Sequence, residues 1–262
     1  MANPTQRRLG RLPRARNARV PHMSALLAGK AAATVPATAD YTKGMPSNLG
    51  IMLNDTLGDC TCAAFYHAVQ VWSFNAAHRV DTEPDVDVED LYIQACGYNP
   101  RKGGEGPGGN EQHVLTYLMN TGAPMGPSGQ ERHHISAFVE VDPRNLSDVK
   151  QAIYECGVAY IGFNVPANIL PPNAPPPSVW NVVPGAAIQG GHAVVLAGYD
   201  DAGARVISWG EYYTMSWQFF STYVDEVYAI ADSLWINSAS GRTLCGLSLP
   251  ELEQLMQSMK QG

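Results

Sequence analysis

Apolar positions recur at helical spacing in the first half of the chain and at strand spacing in most of the second. Ala63, Ala64, Phe65, Ala68, Val69 and Trp72 keep one apolar face, and Asp59 stands where an N-cap is expected. Val88, Leu91, Tyr92 and Ala95 predict a second helix over 88–96, and a third covers about 111–120 before Gly122. Beyond Gly126 the period changes. Residues 134–141 alternate as a strand, 145–156 read as an amphipathic helix, and 158–165 as a buried strand. Three further strands are predicted over 192–199, 205–209 and 226–230, with Asp200-Asp201 before Gly203 as a hairpin turn. A last helix fits 249–259. Helices followed by strands predict an α+β fold, with one domain over 40–232, an arm before it (1–39) and an extension after it (233–262).

The segments between these elements add punctuation. Residues 40–58 carry Pro46, Ser47, Asn48, Gly50 and Asn54-Asp55 and predict irregular structure. The glycine-rich stretch 99–110 is not followed by G-K-[ST], so it is expected to be a plain loop and not a phosphate cradle. Seven prolines between 166 and 184 predict a stiff surface loop in preference to a ligand for an SH3-like groove. The arm holds one short candidate helix, near 24–33. At 262 residues, 45% hydrophobic and 16% charged, the chain can bury a substantial core, which excludes wholesale disorder, collagen and a coiled coil. No run of 18 apolar residues occurs, so no membrane-spanning helix or membrane partner is expected.

Charge is unevenly divided. Residues 1–39 contain Arg7, Arg8, Arg11, Arg14, Arg16, Arg19 and Lys30 and no acid, leaving ten basic against 24 acidic residues for a body at −14 beneath an arm at +7. The arm is expected to dock on an acidic protein surface, first that of a neighbouring subunit and second its own body. Nucleic acid ranks third, because the acidic body repels phosphate and no aromatic residue precedes Tyr41 for stacking. The arginines leave no apolar stretch for a secretory signal, so a cytoplasmic or virion location is expected.

Five cysteines (60, 62, 96, 156 and 245) make a poor disulfide framework and lack zinc-ligand spacing, so no metal or organic cofactor is expected. The chemistry concentrates in Asn54-Asp55-Thr56-Leu57-Gly58-Asp59-Cys60-Thr61-Cys62-Ala63-Ala64-Phe65 and in Gly190-Gly191-His192 through Gly198-Tyr199. A cysteine at a helix N-terminus has its thiolate favoured by the helix dipole and free amides. A histidine opening a strand can sit opposite that sulfur and accept its proton.

On these two motifs the chain resembles the papain-like cysteine peptidases, over roughly residues 45–231. The histidine strand is the most specific part; Ser208-Trp209-Gly210 with Trp217 resembles the family's Asn-Ser-Trp-Gly segment, and the 89–109 and 134–163 stretches match in order and type. The resemblance implies a papain-like cysteine hydrolase acting on a peptide or protein substrate, with Cys60 as nucleophile, His192 as base and Asn54 as oxyanion donor in place of the family's Gln. Cys62-Ala63-Ala64-Phe65 echoes the nucleophile segment too, but Cys60 is favoured by its six-residue offset from Asn54. Aligned on Trp209-Gly210, the family's orienting asparagine falls on Ile207; a one-residue shift brings in Ser208, whose hydroxyl is a weaker substitute. The missing asparagine leaves an alternative, a catalytically inactive papain-fold protein serving as a structural or binding module in a large assembly such as a virus particle.

Overall fold

The computed structural model describes residues 7–14, 20, 23, 35–126, 129, 131–237, 240–242, 250 and 251. Helix α1 (Cys60–Ala77) is buried almost all round, because its residues are nearly all small or apolar. The polar ones are bonded within the protein: His67 Nδ1 meets Gln70 Oε1 at 2.9 Å, and Gln70 Nε2 donates to the Leu49 carbonyl at 2.8 Å. The chain leaves this helix through His78 in the left-handed region. Helices α2 (Asp85–Cys96) and α3 (Glu111–Asn120) lie against one side of α1, and Asn110 caps α3 by accepting from the His113 N–H.

The other side of α1 meets a sheet. Its strands are β1 (Ala39–Asp40), β4 (Ala137–Glu140), β5 (Ala159–Pro166), β6 (Val179–Trp180), β7 (Ile188–Tyr199), β8 (Gly203–Ser208), β9 (Glu211–Ser216) and β10 (Val224–Ala231). The order across it is β4-β10-β5-β7-β8-β9-β6, with β1 added beside β7; β2 (Ala123–Met125) and β3 (Glu131–His133) form a separate ribbon. Every pair is antiparallel except β6 with β9. Helix α4 (Leu146–Cys156), capped by Asn145, joins β4 to β5, and the short helix α5 (Trp217–Tyr223) joins β9 to β10. Two buried bonds tie the halves together: Tyr160 OH donates to the Thr61 carbonyl at 2.8 Å and Trp72 Nε1 to that of Cys156 at 2.7 Å. The architecture is α+β.

Where expectation and structure differ, tertiary packing is the reason. The strand read over 134–141 is shortened to 137–140, which pairs with β10, and the unexpected strand 131–133 just before it pairs with β2. The proline-rich tract is not only surface loop, since it delivers Trp180 into the core against Phe163, Tyr213 and Phe219. Residues 233–237 also pack on the domain: Trp235 is buried and donates to the Glu155 carbonyl, and Asn237 donates to that of Ala76. The helices read near 24–33 and over 249–259 lie outside the described residues, apart from helical residues 250 and 251.

Because Trp180 anchors an otherwise loop-like tract, Trp180→Ala should lower unfolding free energy by about 3–5 kcal/mol in urea titration. Trp180→Phe should lose much less, since the indole N–H is buried without a partner.

Candidate active site

Cys60 is the first residue of α1, so its amide is among those the helix leaves without an internal partner. The loop before it is held by Asn54, whose Nδ2 donates to the Leu57 carbonyl (3.1 Å) and to Asp59 Oδ1 (3.0 Å). Both donors of that amide are thereby used. Asn54 therefore does not present an oxyanion donor here, contrary to the expectation from its position; it braces the turn that aims Cys60. Cys60 and Cys62, two residues apart on a helix, point about 200° from each other. The Cys62 thiol is turned to Cys96 and Thr61, whereas Cys60 faces the backbone N–H groups of Ala193 and Gly10. Burial pushes the Cys60 thiol up to about 12 against those two amides, and burial and the Cys96 contact raise Cys62 as well.

His192 lies on β7 opposite Phe163 of β5, and Ala193 opposite Gly162. Its Nε2 is 2.8 Å from Ser208 Oγ, and its Nδ1 is buried with no partner. The ring of Trp209 stacks on it at 4.5 Å and 16°, and Phe163 meets it edge-on at 5.9 Å. Strand alternation decides which residue reaches the ring. Ile207 pairs with Val195 and is buried in the core, so the next residue, Ser208, takes the place that the alignment gave to Ile207. Trp209 and Gly210 then make a two-residue turn with φ of 49° and 75°, the combination a tight hairpin requires. A tryptophan is strained there, and the stack on His192 helps hold it. With Nε2–H donating to the serine, Nδ1 carries a free lone pair.

Between Cys60 and the histidine strand runs the chain's own arm. The Arg8 N–H donates to the Asn54 carbonyl (2.9 Å), Gly109 N–H to that of Gly10 (2.8 Å), Arg11 N–H to that of Gly191 (3.1 Å), and Leu12 N–H to that of Gly109 (2.9 Å). Trp209 Nε1 reaches the Arg8 carbonyl at 3.4 Å. Only glycine passes at position 10, because a Cβ there would overlap the Gly58 carbonyl. The loop read as plain at 99–110 is thus one wall of this groove. The arm's arginines pair with this chain's own acids, Arg8 with Glu105, Arg14 with Glu140, and Arg11 with Glu111, Asp225 and Glu226. In this structure residues 7–14 lie on the body of the same chain, the second of the two expected surfaces. Sequence reasoning missed Arg11 and Gly109 as groove residues; the +7 arm over a −14 body was the one signal pointing there.

Solved structures share this arrangement of elements. Xylellain, a cysteine protease from Xylella fastidiosa, superposes with a TM-score of 0.62 at 16% identity, over 87% of this chain and 98% of that one. The cysteine protease and lectin-like domains of Cwp84, a surface layer associated protein of Clostridium difficile, give 0.57 at 12%, over 77% and 53%. The Carica candamarcensis cysteine protease CMS1MS2, solved in complex with E-64, gives 0.52 at 14%, over 76% and 99%. No protein-family model and no curated protein sequence matches the chain. The fold is papain-like, and at these identities the likeness is one of fold.

Burial, and then the neighbouring His67, pull the His192 imidazole down to about 3. A ring freed from cover takes its proton near the ordinary 6.5, so the covered state loses stability as pH falls below about 6.5 and goes on losing it down to about 3. Ring-nitrogen NMR on the intact chain should therefore find His192 neutral at about pH 5. Titration near the ordinary value would mean that the arm does not exclude water from the ring.

Proposed function

We propose that this protein is a cysteine hydrolase that cleaves peptide or amide bonds through Cys60 and His192, and that its own arm holds it latent. The observation that carries this reading is the His192 ring, bonded to Ser208 at one nitrogen and bare at the other, on the strand whose next residue, Ala193, turns its N–H to the Cys60 thiol at a helix N-terminus. Once the arm leaves and water returns, Nδ1 takes the Cys60 proton and the thiolate attacks the substrate carbonyl carbon. The oxyanion is held by the Cys60 amide at the N-terminus of α1, joined by Asn54 if its amide turns away from Asp59. The imidazolium returns the proton to the departing amine, and water directed by the same ring hydrolyses the thioester. Ser208 and the Trp209 stack together orient the ring where the family uses an asparagine.

Latency follows from direction as well as from cover. Residue 11 bridges Gly109 in the parallel sense, and the Gly10 N–H faces the thiol, so the seated arm presents the sulfur with a hydrogen-bond donor. Removing the Arg11 side chain strands Glu111 and Glu226 without their cation, a cost of about 3–5 kcal/mol that falls on the seated arm.

An electrophilic thiol probe should label the wild-type chain slowly and Arg11→Ala at least about tenfold faster, with Cys60 modified and Cys62 spared. In the Arg11→Ala background, Cys60→Ser should abolish hydrolysis of a peptide substrate, and Ser208→Ala should cut kcat by up to about tenfold, the worth of one neutral hydrogen bond. Cys60 that stays unreactive in Arg11→Ala would favour the non-catalytic reading of the fold.

A further inference from the structure

Arg11 occupies a pocket whose construction is specific for its side chain. The side chain is 1% exposed, as are, at 0%, the two carboxylates of Glu111 and Glu226 that it meets. Nε donates to Glu111 Oε2 at 3.0 Å and Nη2 to Glu226 Oε1 at 2.5 Å, while Asp225, 42% exposed, bonds the same Nη2 from the rim. Each acid is independently held. Glu111 opens helix α3, where the dipole favours a negative charge; Glu226 accepts from Tyr228 OH at 2.7 Å; and Asp225 accepts from Asn164 at 3.5 Å. The second Glu111 oxygen, Oε1, is buried with no partner. On β5 the pocket is open because residue 162 is glycine: a Cβ there would overlap Arg11 Nε and Glu111 Oε2.

Burial and the facing Glu226 push the Glu111 carboxyl well above the usual carboxylate range, and the Arg11 guanidinium between the two opposes that shift, so a cation here relieves the crowding of the two acids. A planar fork meets carboxylates from two sides with directed N–H groups, which a lysine ammonium does not reproduce. The main-chain bonds around Arg11, by contrast, are generic. Gly109 and Gly191 offer N–H and carbonyl groups that any extended peptide can use, so discrimination falls to the pocket.

We propose that the pocket formed by Glu111, Glu226, Asp225 and Gly162 selects peptide substrates carrying an arginine beside the reacting residue, with Arg11 of the arm standing in for that arginine in the latent chain. The proposal rests on the hydrolase reading above. Gly10 occupies the place at Cys60 and Arg11 is the next residue along the groove, so the selected arginine is one residue removed from the residue whose carbonyl is attacked. Substrate and arm compete for the same pocket and the same backbone edges, and binding of one requires departure of the other.

Two measurements on the full-length chain separate this proposal from the hydrolase reading. In Arg11→Ala, methylguanidinium should raise Tm more than methylammonium at equal concentration, and neither should shift the wild type. In the same variant, two peptidyl vinyl sulfones that differ only in arginine or norleucine next to the warhead-bearing residue are compared at Cys60. The arginyl probe should react at least about tenfold faster, the worth of a hydrogen bond to a charged group. Adding Glu226→Gln or Gly162→Val should erase that preference. Should Arg11→Ala fail to fold, Arg11→Lys, which keeps the charge and loses the fork, is compared in its place with the same order of rates expected. Equal rates for the two probes overturn the pocket proposal and leave the hydrolase intact. Labelling by neither probe, with the methylguanidinium shift present, overturns the hydrolase reading and with it the substrate, while the cation pocket stands. Equal shifts from the two cations overturn the pocket itself.

Discussion

A helix with no solvent-facing side has to be covered on every side, and α1 imposes that requirement on the rest of the molecule. Its apolar residues take α2 and α3 on one side and the long strand β7 on the other, and its few polar groups are bonded internally. The end of the helix is the part that cannot be covered by side-chain packing alone, because its first amides have no partners in the helix. That end lies on the seam between the helical half and the sheet. Cys60 stands there, with His192 delivered from β7 and its serine from the neighbouring strand β8.

The same burial sets the electrostatics of the seam. With the arm seated, thiol and imidazole are both shifted toward their neutral forms, the one up and the other down. Charge is stored a few residues away instead, where burial pulls on the Arg11 guanidinium but Glu111, Glu226 and Asp225 hold it above its ordinary value. The covered groove is therefore neutral at its proposed reacting atoms and ionic at its side-chain pocket. In the proposed cycle the ion pair at Cys60 and His192 returns once the arm leaves and water enters, and the substrate's arginine takes the place of Arg11.

The aromatic cluster connects the periphery of the sheet to the histidine. Trp180, carried in by the proline-rich tract, packs on Phe163 and Tyr213 and lies 6.2 Å from Trp209, whose ring covers His192. A single serine hydroxyl fixes an imidazole less firmly than a carboxamide does. The stack supplies the second restraint, which gives a physical reason for a tryptophan at a left-handed position.

Residue patterning alone was enough for the helices that begin near Cys60, Asp85 and Glu111, for the α+β order and for the resemblance carried by the histidine strand. These depend on neighbours in sequence: an apolar face at 3.6-residue spacing, alternation at two, a cap, a glycine stop. The tertiary structure alone decided that Ser208, not Ile207, reaches the ring, because strand register sets which of two adjacent residues points inward. It decided equally that the Asn54 amide turns to Leu57 and Asp59, that Trp180 leaves its loop for the core, and that Arg11 enters a pocket built from acids 100 and more residues distant. Charge imbalance in the sequence announces that the arm needs acidic partners. Which acids they are follows only once helix α3 and strand β10 have been brought to the same side of the cleft, since an ion pair depends on distance in space and leaves no periodic trace along the chain.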